Sequence, residues 1–486
     1  MTYPFNNFYD LIVAQSQRRS KSVALIIDNT KITYGQMRQE IDPLAGFLQE
    51  KGIKRGDKVA LFLRNSAEFV YSVFALSKIG AIVVPVNTFL KEEELNYILE
   101  DSEAVALIAS KIHEEVVNKS QADNLCHFVL WESETYEKGL ENYTFEEALS
   151  CVNVASYEKI ALDETAVIIY TSGTTGKPKG AMLSNKNIFS NAISGSMTIK
   201  VTDKDVGMVF LPMFHSFTFS IGIMMPMYMG MSIVIVKSLK PFANIFKQTL
   251  MKRVTIFLGI PDVYNALVKA KLPWYFMWFN CVRAFISGAA ALQPKTIEGM
   301  AKKFKRATLL EGYGLSEASP AVCMNTFAKQ KIGSVGTALH EYEMNIVDDE
   351  MNEVPKGTIG DIIVKGDNVM QGYWKRPEAT SETIINGWLL TGDMGYMDEE
   401  GFLFIVDRKK DLIISKGINI YPREVEEVID GFAGISASAV IGFMDEKQGE
   451  IPIVYLELDE KVHTIDELAL KKYMKEHLAN YKIPTS

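Results

Sequence analysis

Short apolar, β-branched runs alternate along this chain with longer segments whose apolar residues recur at helical spacing, and no other sequence feature restricts the fold as strongly. ITYGQMRQEIDPLAGFLQEKG (32–52) begins as a strand and becomes an amphipathic helix. DKVALFLRN (57–65) reads as a strand, EFVYSVFALSKIG (68–80) as a helix stopped by Gly80, and AIVVPVN (81–87) as a buried strand. The rhythm returns at SIVIV (232–236), VTIFLGIP (254–261), VRAFISG (282–288) and ATLLEGYG (307–314). Strands separated by helices predict an α/β fold whose parallel sheet is covered on both faces. From Lys331 to Val406 the pattern changes to short strands and glycine turns, as in GDIIVKGD and GYMDEEGFLFIVD, which predicts a small β-rich subdomain. After Asp407 a small α+β unit is expected, with helices at PREVEEVI and ELALKKYMKEHLANY and strands at ASAVIGF and PIVYLEL. Pro422 suits a first helical turn.

The 486 residues suit about three domains or large subdomains and exclude a lone small binding module. Fifty-one Lys and Arg against 60 Asp and Glu give a net charge of −9, which argues against a nucleic-acid partner. Cys126, Cys151, Cys281 and Cys323 form no C-x-x-C pair and read as buried thiols in a reducing cytoplasm. The N-terminus lacks the pattern of a secretory signal. From Val206 to Val236 there is no Asp, Glu, Lys or Arg, a stretch long enough to span a bilayer. Pro212, His215, Gly222, Pro226 and Gly230 interrupt it, so a buried element is expected and no integral membrane segment. No basic amphipathic anchor is evident, and oligomeric state leaves no signature.

YTSGTTGKPKGAMLSNKN (Tyr170–Asn187) follows the apolar strand TAVIIY and is crowded with Gly, Ser, Thr and Lys, groups that surround polyphosphate well. It is not a Walker A loop, because Pro178 stands where that pattern needs glycine. Composition alone leaves a plain glycine-rich turn open. The order of residues says more: TSGTTGKPKG resembles the signature of the adenylate-forming superfamily, in its acyl-CoA synthetase branch. LPMFHSF (211–217), GIP (259–261), SGAAAL (287–292), EGYGLSE (311–317), TGD (391–393) and DRKKDLIISKGINIYPREVE (407–426) follow in that family's order.

The resemblance implies a large N-terminal AMP-binding domain of parallel and mixed sheets with helices over residues 1–406. Its approximate subdomains are 1–160, 161–330 and 331–406, followed by a small mobile α+β lid over 407–486. It also implies a two-step reaction in which ATP and an acid give an acyl-adenylate, from which coenzyme A displaces AMP. Thr171, Ser172, Gly173, Thr174, Thr175 and Lys179 would contact phosphates, with Thr174 and Glu317 beside Mg²⁺. Tyr313 would stack on adenine, Gly312 and Gly314 would admit close backbone approach, and Ser316 would keep the hydroxyl of a more usual threonine. Asp393 would accept the ribose hydroxyls and Arg408 would add a ribose or phosphate contact. His215 would sit at the mouth of the acid site, Lys410 at the hinge, and Gly417 against the pantetheine arm. Taken singly, Glu317 also reads as a helix-start carboxylate, Tyr313 as a core ring, Asp393 as a turn residue and RKKD as a solvated charge run.

Ser216–Met229 contains no acid to pair with an amino-acid ammonium, which would otherwise be buried alone. The same segment is rich in Phe and Met: with Met213 and Phe214 before it, Phe217, Phe219, Met224, Met225, Met227 and Met229 suggest an apolar acyl tunnel. A medium- or long-chain fatty acid is therefore the expected substrate, with an aryl acid as the alternative. Two departures stand out. Asn185 replaces a histidine common just after the phosphate loop. The chain stops at Ser486 soon after YKIP (481–484), before the P-x-x-x-x-G-K segment whose lysine serves adenylation. Either a tail is missing from this sequence, or the chain is a nucleotide or acyl-adenylate binding protein that lacks the adenylating lysine.

Overall fold

The structure is a computed structural model that describes residues 1–122, 126–132, 141–171, 177–237, 242–415, 418–445, 449–458 and 462–484. Contacts divide the chain into two compact units, Met1–Glu343 with Lys365–Gly387, and Met344–Val364 with Trp388–Ser486.

The first unit is built on two sheets. One runs in the spatial order Thr337–Ala338, Ala321–Met324, Thr308–Gly314, Ala284–Ser287, Ile256–Gly259, Val206–Val209, Ser232–Ile235, Val23–Ile27, Thr30–Thr33. Its interior pairs are parallel, and the hairpins at either edge are antiparallel. The other runs Gly372–Tyr373, Lys179–Ser184, Thr165–Thr171, Ile82–Pro85, Lys58–Phe62, Ala104–Ala109, Phe128–Trp131, Glu141–Thr144. It too is parallel except at the Thr165–Thr171/Lys179–Ser184 hairpin and the short strand beyond. Every strand expected from the apolar runs is present. Parallel order follows from the intervening helices, because a crossover has to return the chain to the same end of the sheet.

Local chemistry sets the helix ends. Thr33 and Gln36 form a reciprocal capping box that opens Tyr34–Glu50. Ser66 caps Ala67–Lys78 by accepting the Phe69 N–H, and Gly80 then takes φ +72°, turning the chain into the next strand. Ala67–Lys78 is buried nearly all round, so its Lys78 ammonium needs an internal partner. It finds the Asp42 carboxylate at 2.9 Å and the Tyr9 ring at 5.0 Å.

The uncharged Val206–Val236 stretch is no membrane span: among the described residues no helix is long and apolar enough to cross one. It folds as strand Val206–Val209, a π-helix at Thr218–Met224, a short helix at Met225–Met229 and strand Ser232–Ile235. A Cβ on Gly222 would lie 3.2 Å from Val209 and 3.3 Å from Leu258, so glycine lets the wide π turn sit close on the sheet. Gly230 at φ +73° ends the helix, as expected from the sequence.

The second unit is a β hairpin, Trp388–Met397 with Leu403–Arg408, flanked antiparallel by Gly360–Lys365, and then an α+β module. The module's sheet has the order Ile418–Ile420, Ile413–Ser415, Gly449–Leu458, Ile435–Asp445, and helices Pro422–Asp430 and Glu467–His477 accompany it. Its core is Ile413, Ile420, Val425, Ile429, Ile435, Val440, Leu470, Met474 and Leu478. The expected fold class, with its β-rich segment and small α+β C-terminal part, is what the chain adopts.

Candidate active site

In the first unit the motif residues gather at the carboxyl ends of parallel strands, where α/β sheets ordinarily bind ligands. Strand Thr165–Thr171 delivers Tyr170 and Thr171 to the start of the glycine-rich loop. Ser172, Gly173, Thr174 and Thr175 lie outside the described residues. The chain on both sides of them is anchored. The Tyr170 hydroxyl donates to Asp101 at 2.7 Å, Arg376 pairs with the other oxygen of Asp101 at 2.5 Å, and Trp374 Nε1 donates to the Asp101 carbonyl at 3.0 Å. After the loop, the Tyr97 hydroxyl holds the Pro178 carbonyl at 2.9 Å, and Lys177 Nζ lies 5.5 Å from the Tyr97 ring. Burial and the adjacent Asp101 raise the Tyr170 pKa far above the phenol range, so it stays a donor.

Glu317 stands opposite the strand end, just beyond Thr308–Gly314. Its Oε1 accepts from Thr171 Oγ1 at 3.2 Å and from the Tyr373 hydroxyl at 2.9 Å. Its backbone carbonyl accepts the Met370 N–H at 2.8 Å, and Tyr373 is itself placed by pairing with Ala181 in the sheet. Lys179 Nζ lies 5.2 Å from the Tyr373 ring. Burial and the neighbouring Glu317 push the Tyr373 phenol well up, keeping it protonated toward the carboxylate.

Two further motifs meet the EGYGLSE segment that carries Glu317. The Ser316 and Ser216 hydroxyls share a hydrogen bond of 2.9 Å, joining EGYGLSE to LPMFHSF. Glu311 accepts the Leu292 N–H at 2.9 Å, joining SGAAAL to the same strand. Tyr313 and Ser316 are half-buried, so Tyr313 is not a core ring. Gly312 and Gly314 have a packing reason of their own. A Cβ on Gly314 would sit 2.0 Å from the Pro320 carbonyl oxygen and one on Gly312 3.1 Å from the Cys323 carbonyl oxygen, because the next strand folds back across them.

His215 keeps accessible surface, yet the protein crowded around it lowers its pKa by desolvation, a combination that suits a side chain facing a concave surface. Its Nδ1 receives the Phe217 N–H at 3.3 Å, which places the proton of the neutral ring on Nε2. The aromatic and methionine residues beside it depart from the expected tunnel. Met213, Phe219, Met224, Met225 and Met227 are buried in the interior. Phe219 packs edge-on to Phe8 and Phe69. They are core side chains, and their absence of charge reflects packing.

Asn185 is buried at the opposite end of its hairpin from the glycine-rich loop, its N–H donating to the Glu164 carbonyl at 3.3 Å.

In the second unit Asp393 and Arg408 are directly paired across the hairpin, with Arg408 Nε 3.7 Å from Asp393 Oδ1. Gly392 at φ +76° sharpens the chain before Asp393, whose N–H donates to Thr391 Oγ1 at 3.1 Å. Lys409 bridges Asp349 and Asp361, each at 2.7 Å, and so has a structural role, while Lys410 is exposed. Asp407 accepts the Arg408 N–H at 2.8 Å and the Arg423 N–H at 3.0 Å, which caps helix Pro422–Asp430. Gly417 lies outside the described residues.

Among the described residues no cluster of three or more His, Cys, Asp or Glu could hold a metal by itself. A lone, half-buried carboxylate with a neighbouring hydroxyl nevertheless fits Mg²⁺, which takes one or two protein oxygens and completes its shell from phosphates and water. Sequence reading missed Tyr373 and Asp101. Their only signal was YWKRP (373–377), whose ring, indole and guanidinium return to the loop through tertiary pairing.

An α/β body with a glycine-rich sequence at a strand end, an opposed carboxylate and a half-buried ring suits an enzyme that binds a nucleotide. The chain belongs to the AMP-binding enzyme family: that family's pattern matches residues 12–374, and the pattern of its C-terminal domain matches 424–486. It is 34% identical over 467 residues to a 2-succinylbenzoate–CoA ligase of Bacillus cereus (strain Q1), covering 95% of this chain and 90% of that protein. It is similar in structure to o-succinylbenzoate CoA synthetase of Bacillus subtilis in complex with its acyl-adenylate intermediate, with TM-score 0.85, 28% identity, and coverage of 99% and 94% of the two chains. The anthranilate CoA ligase AuaEII with anthranoyl-AMP gives TM-score 0.90 at 25% identity, covering 99% and 93%. The chain is an ATP-dependent acid–CoA ligase, with ATP, Mg²⁺ and coenzyme A as the small molecules it uses. These relatives favour the aryl-acid alternative over the fatty acid expected from the methionine-rich segment.

Proposed function

We propose that the protein is an aryl-acid–CoA ligase acting in the cytoplasm on a substituted benzoate of the 2-succinylbenzoate type. The observation that carries this reading is the likeness to 2-succinylbenzoate–CoA ligases over 95% of the chain, joined to the buried state of the residues a fatty-acyl tunnel would use. Adenylation needs charge stabilisation at phosphate and a positioned carboxylate more than a nucleophilic side chain. The loop residues Ser172, Gly173, Thr174 and Thr175, with Thr171 and Lys179, cradle the phosphates. Glu317 and Thr174 would hold Mg²⁺, which supplies charge neutralisation on phosphate oxygens when bound. Tyr313 faces adenine, with Gly312, Gly314 and Ser316 beside it.

Asp393 and Arg408 orient the ribose. Their present ion pair fits that role, because it orients a carboxylate whose two oxygens can each accept a hydroxyl. His215, neutral with its proton on Nε2, offers a donor at the acid site without adding a cation. Residues 407–486 act as the moving lid, Lys410 at its hinge and Gly417 near the thiol arm. A panel of 2-succinylbenzoate, anthranilate, benzoate, cinnamate and a ladder of fatty acids tests the reading through pyrophosphate release and thioester formation. A fatty acid with the highest kcat/KM would overturn it.

A further inference from the structure

Among the described residues, one short helix gathers exposed aromatic rings away from the residues matched to the nucleotide. Helix Trp274–Phe279 turns Phe276 inward, where its ring meets Phe246 at 5.5 Å, and leaves Trp274, Tyr275, Trp278 and Phe279 exposed at 72, 47, 65 and 66%. A soluble surface rarely gathers four aromatics on one short turn unless something covers them. The charge around them is equally uneven. Between Lys269 and Arg306 the chain carries eight Lys and Arg and a single acid, Glu298, although the whole protein has net charge −9.

Tertiary structure brings the two features together. Helix Pro294–Lys303 ends beside the aromatic helix, and Met277 and Trp278 share one hollow with Lys305 and Arg306. The Arg306 guanidinium lies 5.9 Å from the Trp278 ring and donates to the Trp278 carbonyl at 3.1 Å. Lys303 is occupied by the carbonyls of Leu267, Val268 and Ala270, whereas Lys269, Lys271, Lys305 and Arg306 are exposed. Lys269 and Lys271 precede the aromatic helix in the chain, whereas Lys305 and Arg306 reach it only through the tertiary fold.

We propose that this face docks peripherally on an anionic lipid surface. Trp and Tyr rings favour the headgroup region, where the apolar ring and the polar N–H or O–H are both accommodated, and a surrounding set of Lys and Arg is drawn to acidic headgroups. A protein partner would match the aromatics as well, but a cationic surround on an acidic chain complements a negatively charged sheet of headgroups in particular. The face sits where strands Ala284–Ser287 and Thr308–Gly314 begin. Tyr313 and Glu317 lie at or beyond the far end of the second of these strands, so docking leaves the active-site mouth open to soluble ATP and coenzyme A. This interaction goes beyond the ligase reading and is measured without substrate.

Flotation with equimolar phosphatidylglycerol/phosphatidylcholine vesicles, against phosphatidylcholine alone, tests it on the full chain. The unmodified protein should float with the anionic vesicles only. Lys305→Glu with Arg306→Glu should weaken partitioning by at least about twentyfold, since each cation near such a surface contributes about fivefold. The triple variant Trp274→Ser, Trp278→Ser, Phe279→Ser should lose flotation while forming thioester normally in solution. In the unmodified protein, vesicles with brominated acyl chains should quench tryptophan fluorescence, and the triple variant, which keeps Trp131, Trp374 and Trp388, should lose that quenching. Failure to float with anionic vesicles, flotation unchanged in both variants, or a concentration-dependent dimer that the triple variant abolishes would each overturn the proposal.

Discussion

Replacing Tyr373 with phenylalanine removes one of two hydroxyls that hold Glu317 Oε1 and leaves the ring in its pocket. The bond is 2.9 Å long and its acceptor is a carboxylate. A hydrogen bond to a charged group contributes about 1.5–3 kcal/mol when dry. Tyr373 is buried but Glu317 is only half-buried, so water replaces part of the loss on the carboxylate side and about 1 kcal/mol is the expected net cost. Thr171 still holds Glu317 at 3.2 Å, so the carboxylate becomes less fixed without being released. Adenylation, read as pyrophosphate release, should slow about tenfold, since loss of positioning by an ångström costs up to about a hundredfold. Thioester formation from supplied acyl-adenylate should change less than about twofold, because it does not use this carboxylate. A double-mutant cycle with Glu317→Gln, measured as denaturation midpoints, should return about 1 kcal/mol of coupling. Coupling below about 0.3 kcal/mol together with unchanged pyrophosphate release would refute the positioning argument.

Other consequences are equally concrete. Asp101→Asn leaves Arg376 without its charge partner and weakens the acceptor of Tyr170; a stability loss of about 1–2 kcal/mol by urea unfolding and weaker ATP binding are expected, and full retention of both would show the anchor to be idle. Gly314→Ala places a methyl 2.0 Å from the Pro320 carbonyl oxygen, so the variant should be destabilised by roughly 3 kcal/mol or more, and a soluble variant with a wild-type melting profile would contradict the packing. Met225→Ala in the interior should cost about 2–4 kcal/mol without altering the ranking of acids, whereas a selective loss of long-chain substrates would restore the tunnel. For His215 the sign is fixed by desolvation. Its folded pKa lies below the ordinary histidine value, so the unfolded chain takes up the proton first as pH falls, and the protein loses stability on acidification through that range. His215→Gln should show a smaller loss between neutral and mildly acid pH; an equal or larger loss would argue against a desolvated ring.

What the sequence determined by itself was the local and the ordered: the strand and helix alternation that gives parallel sheets, the glycine stops at Gly80 and Gly230, and a series of motifs in family order that names the chemistry. These are legible because backbone preference, hydrophobic period and motif spacing are properties of neighbouring residues. The relatives favour an aryl acid over the fatty acid expected, and that expectation leaned on the same reading of neighbouring residues. An uncharged run rich in Phe and Met looks alike whether it lines a tunnel or fills a core, and only the packing of Phe219 on Phe8 and Phe69 shows that it fills the core. Tertiary structure alone also joined Tyr373 to Glu317, Arg376 to Asp101, and the exposed aromatic helix to the cations that follow Pro294–Lys303. Each of these pairings closes a long loop or crosses a sheet, and its energy depends on distance in space, which separation along the chain does not encode.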